Sequence, residues 1–179
     1  MKDHRHILKM VLAAFFLALA YVMPYLTGQI PEVGSMLCPM HIPVILCGFI
    51  CGPAWGLTVG ATAPILRSLL TGGFPPMFPT AVAMAFELAT YGVVCGVMYN
   101  LLPKRKSSVY VSLLTSMVIG RLVWGLVTFI CMSVSGGAFT FSAFLAGAVV
   151  NAVPGIIVQI VIIPVIVILL SNSKTVRDM

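Results

Sequence analysis

The sequence predicts an all-α integral membrane protein of six transmembrane helices with both termini in the cytoplasm, and three observations lead there. The first is composition: of 179 residues, 60% are hydrophobic and 8% charged, against roughly 25% charged in an ordinary soluble domain. The mean hydropathy of +1.12 leaves too few polar side chains to cover a water-soluble surface. The second is length. At about 20 apolar residues per membrane-spanning helix, the chain holds five to seven helices and no soluble domain, so residues 1–179 form a single transmembrane domain. The third is charge: of ten Lys and Arg and four Asp and Glu, all but four fall in three clusters. These are Lys2, Asp3, Arg5 and Lys9; Lys104, Arg105 and Lys106; and Lys174, Arg177 and Asp178. Lys and Arg mark the cytoplasmic side, so an even number of helices separates each pair of clusters, and the spacers suit four and then two.

The first helix is expected near 8–27. Its basic start and Leu17-Ala18-Leu19-Ala20 resemble a signal peptide, but the apolar stretch continues without a break through Tyr25, which reads as a membrane helix. An outer loop follows through Gly28 to Gly34. The second helix is expected near 42–52, ending at an inner turn, Gly52-Pro53, and the third near 54–71. Gly72 to Pro79, rich in Gly and Pro, is an outer loop. The fourth helix fills 80–102, the fifth about 108–134, and the sixth about 142–170 after Ser135-Gly136-Gly137. The outer loops carry no Lys or Arg.

The four remaining charges are Glu32 in an outer loop and Arg67, Glu87 and Arg121 within the third, fourth and fifth helices. Charges inside a membrane are costly and mark functional positions. At a rise of about 1.5 Å per residue, Arg67 and Arg121 lie about 20 Å above their inner helix ends, and Glu87 about 10 Å below its outer end. All three fall in the outer half. Asn151, three residues before Pro154, falls at a similar depth; Tyr91 and Met84 share the face of Glu87, and Trp124 that of Arg121. His41 and the outer loops would roof an aromatic-lined polar pocket. Two cations face one anion, so one arginine pairs with Glu87 and the other suits an anionic group; Arg121, beside Trp124, is the first choice for the ligand and Arg67 the second. A structural ion pair between helices is the alternative reading for the three charges, and packing is the alternative for Trp124 and Tyr91.

No Gly is followed by Lys, so the chain carries no phosphate-binding loop of the Walker A type. Nor is there a triad, metal site or thiol relay that would suggest an enzyme. The five cysteines form no CxxC and read as small packing residues. Ala14 and Ala18 on the first helix are spaced for close helix approach, with internal packing as the alternative.

Nearly the whole chain resembles a substrate-binding S component of an energy-coupling factor (ECF) transporter, a bacterial vitamin uptake system. The resemblance runs through Leu37-Cys38-Pro39-Met40-His41-Ile42-Pro43-Val44, Gly48-Phe49-Ile50-Cys51-Gly52 and Pro64-Ile65-Leu66-Arg67-Ser68-Leu69-Leu70. It continues through Phe74 to Ala81, Phe86-Glu87-Leu88-Ala89-Thr90-Tyr91-Gly92 and Gly120-Arg121-Leu122-Val123-Trp124-Gly125. It implies a multi-pass protein of the bacterial cytoplasmic membrane, partnered by a transmembrane T subunit and two cytoplasmic ATPases. Those partners would use the ATP, and this chain would need no cofactor of its own. In the family an AxxxA pair on the first helix meets the T subunit, and Ala14 and Ala18 match it. The substrates are water-soluble vitamins; the buried positive balance points to a carboxylate-bearing one such as pantothenate or folate. A non-binding structural subunit and a self-sufficient small carrier are the competing functions.

Overall fold

A computed structural model of the chain describes residues 2–27, 38–103, 105–137 and 140–171, and every regular element among them is helical. The first outer loop with Glu32, the basic residue Lys104 and the terminal cluster Lys174, Arg177 and Asp178 lie outside the described residues.

Helix α1 spans Lys2–Val22 and tightens into 3-10 turns over Met23–Thr27. It begins ahead of the expected residue 8, because Lys and Arg are good helix formers and amides near the bilayer need internal partners. Helices α2 (His41–Cys51) and α3 (Pro53–Leu70) meet at Gly52, whose φ of 96° is a conformation that suits a residue without a Cβ. Pro53 then takes the first helical position, where its missing N–H leaves nothing unpaired.

A π-helical turn, Met77–Ala81, leads into α4 (Val82–Leu101), and α5 covers Lys106–Val134. The last apolar stretch, expected as one helix over 142–170, is broken. It divides into α6 (Phe141–Leu145), a π-helical turn over Ala146–Val150 and α7 (Val153–Ser171). Pro154 is the physical reason: it offers no N–H to the carbonyl four residues back, and its ring crowds that carbonyl. The Asn151 N–H instead donates to the Ala146 carbonyl at 2.9 Å, one residue further back than in an α-helix. Thr140 starts α6 cleanly, its hydroxyl accepting the Ala143 N–H at 3.3 Å.

Among the described residues, four segments are long and apolar enough to cross a membrane: Arg5–Tyr25, Met77–Leu101, Lys106–Val134 and Phe141–Leu170. Helix α2, with 11 residues, reaches only about 16 Å at the helical rise, half of a hydrocarbon core of about 30 Å. All of its residues but Ile50 are buried, so it forms an inner strut of the bundle.

Helix α4 is central and packs on α2, α3 and α5; α1 packs on α2 and α3, and α7 on α2 and α5. Between helices in lipid no hydrophobic drive remains, and close packing of small residues replaces it. Gly48 of α2, Gly56 and Gly60 of α3, and Gly92 and Gly96 of α4 form such a seam. A Cβ on Gly56 would lie 2.7 Å from the Gly92 carbonyl oxygen, and one on Gly96 would lie 2.6 Å from the Pro53 nitrogen. On the far side of α4, Ser108, Ser112 and Ser116 recur at every fourth residue of α5 and are buried. The Cys95 thiol donates to the Ser116 hydroxyl at 2.9 Å. The opposite faces carry exposed Leu114, Val118, Leu122 and Leu126 on α5, and Ile157, Val161 and Val165 on α7, as lipid contact requires.

Candidate functional site

Three helices bring four polar side chains to one buried point. Glu87 and Tyr91 stand one turn apart on α4, His41 opens α2, and Arg121 comes from the middle of α5. Glu87 is 2% exposed, and its Oε1 gathers all three neighbours. Arg121 Nη1 lies at 3.0 Å, the Tyr91 hydroxyl donates at 3.0 Å, and His41 Nε2 stands 3.5 Å away. The Tyr91 ring packs on the imidazole with centroids 5.2 Å apart and presses on Gly120, where no larger residue fits. A carboxylate in so apolar a place is held ionised only by such partners. Arg121 also donates through Nη2 to the Cys38 thiol at 3.6 Å.

Beside this cluster, one residue before His41, the Met40 sulfur accepts from Arg67 Nη1 at 3.6 Å. Arg67 is buried, and Phe74 covers its guanidinium at 5.8 Å. That ring is placed by a turn folded back on the end of α3. The Ser68 hydroxyl donates to the Pro75 carbonyl at 2.7 Å, Gly73 N–H to the Ser68 carbonyl at 2.8 Å, and the Thr71 hydroxyl to the carbonyls of Arg67 and Phe74.

The expected grouping of Glu87, Tyr91 and Arg121 is therefore observed in space, and His41, expected in the roof, lies inside at 3% exposure. The division between the arginines runs opposite to the first choice: Arg121 is the one paired with Glu87, and among the described residues Arg67 meets no carboxylate. Trp124 stacks on Phe144 at 6.4 Å, its indole edge against Gly147. Met84 is half-buried against the core. Asn151 sits exposed in the turn before α7. Cys38 and Met40 were not anticipated as partners, since a sulfur that accepts from a guanidinium leaves no recurring sequence pattern. Ala14 and Ala18 are exposed on α1, between the exposed side chains of Val11, Phe15 and Val22.

Over residues 8–167 the sequence matches the family described as ECF transporter, substrate-specific component. The chain belongs to this family. No curated protein and no solved structure matches it significantly. The match reaches from α1 to the last turns of α7, so the whole described bundle is the S component. Membership and the four membrane-crossing segments together make it a multi-pass membrane protein. In an S component, whose part in transport is to select the substrate, a buried polar cluster within an apolar bundle is the natural candidate for the selecting site.

Proposed function

We propose that this S component captures a water-soluble micronutrient from outside the bacterial cytoplasmic membrane and delivers it inward with a T subunit and two cytoplasmic ATPases. It uses no cofactor of its own. The observation that carries this reading is the buried cluster of Glu87, Tyr91, His41 and Arg121 with Arg67 beside it. Met84, Trp124 and Asn151 complete the proposed surroundings of the substrate. The excess of one buried positive charge favours a carboxylate-bearing compound such as pantothenate or folate. The chain crosses the membrane six times, the segment that contains α2 supplying the second crossing, and both termini face the cytoplasm. Ala14 and Ala18 meet the T subunit.

Thermal unfolding in detergent against a panel of vitamins tests capture, because a binder gains stability as its ligand rises above the dissociation constant. A protein stabilised by none of them is a structural subunit. Uptake by vesicles holding this chain alone would make it a self-sufficient carrier; uptake only with the T subunit and ATPases supports the proposal. For the topology, a cysteine at position 105 in a cysteine-free background is expected to react only with reagents that reach the inside.

A further inference from the structure

We infer that Arg67 is the residue with which this S component recognises its substrate, taking a carboxylate or phosphate oxyanion, while Arg121 is committed to Glu87. The inference rests on the capture of a small molecule proposed above and names the group that is read.

Of the three charges inside the bundle, Glu87 and Arg121 neutralise each other at 3.0 Å. Arg67 is 8% exposed, and among the described residues no carboxylate lies within ion-pair distance of it. Among the described residues its Nε has no partner, and its Nη1 has only the Met40 thioether, a weak acceptor. Phe74 closes one face of the guanidinium. A planar fork of donors, desolvated and backed by an aromatic ring, is built to take two oxygens of one anion. Lipid phosphate has the same chemistry, but the burial of Arg67 favours a compound that enters the bundle.

The test compares wild type, Arg67→Gln and Arg67→Lys, each purified in detergent from cells grown in rich medium and extracted into aqueous and lipid phases for mass spectrometry. Wild type is expected to yield an aqueous molecule bearing a carboxylate or phosphate. Arg67→Lys should retain it with affinity lowered about 10-fold, and Arg67→Gln should lose it by about 100-fold or more. After dialysis, Arg67→Gln should melt no lower than wild type, because it removes a charge that meets no carboxylate among the described residues.

A neutral molecule, equal retention by Arg67→Gln, or a phospholipid whose loss follows Arg67 overturns the inference alone. So does an Arg67→Gln protein that is unfolded or melts lower when empty, since that assigns Arg67 an internal partner such as Glu32. A wild type that carries nothing and is stabilised by no vitamin in the panel removes the capture reading together with the inference.

Discussion

Glu87 gathers two donors at 3.0 Å and an imidazole nitrogen at 3.5 Å on one oxygen, so its neighbours are unequal in what they contribute. Removing Arg121 strands a buried carboxylate, and Arg121→Ala is expected to lower unfolding stability by about 3–5 kcal/mol. Tyr91→Phe removes only a hydrogen bond to a charged acceptor and should cost about 1.5–3 kcal/mol. The double change Glu87→Gln, Arg121→Gln should recover part of the sum of its single effects, because neither charge is left alone. Denaturant unfolding in detergent reads all three, and strict additivity in the double variant would show that the ion pair is not coupled. The importance of these charges was legible in the sequence, since an ionisable residue in an apolar helix stands out wherever it occurs. Which cation meets the anion was not. That depends on the distance between helices, and α4 places Glu87 toward α5 and α2 while α3 turns Arg67 toward Met40.

At the scale of elements, Gly and Pro located most boundaries, and α2, α3 and α5 begin and end close to the expected residues. The break between α6 and α7 was missed although Pro154 signalled loosened backbone there, because one proline permits either a kink or a full interruption and packing decides. The seam was missed as well, although Gly56 to Gly60 and Gly92 to Gly96 are each a pair four residues apart, and Gly48 faces Gly92. Spacing alone does not tell a partner helix from open lipid. Gly56→Leu is expected to destabilise the protein by at least about 1–3 kcal/mol through overpacking, since even its Cβ would meet the Gly92 carbonyl. Gly137→Ala, with its nearest neighbour 3.4 Å away on the flexible end of Met132, should be close to neutral. Melting temperatures of the two variants compared side by side decide it, and equal losses would mean that the seam is looser than its distances indicate.

For the whole molecule, class and family were the most legible features, because composition and charge placement are summed over the full chain and survive local errors. The docking surface is tested at this scale too. The double variant Ala14→Trp, Ala18→Trp should bind substrate as wild type does and lose uptake by the assembled transporter, since only close approach of α1 to a partner is blocked; uptake at the wild-type rate would remove the assignment. The glycine seam has a mechanical consequence for any movement in the membrane. A contact made of main chain on main chain has no rotamers to exchange, so it offers no graded series of intermediate fits. Sliding α3 along α4 by a single residue would drive a side chain into a carbonyl, as the surroundings of Gly56, Gly60 and Gly92 require. Force applied to α3 would therefore be passed to α2 and α4 without internal slip, so that these three helices would move as one stiff body.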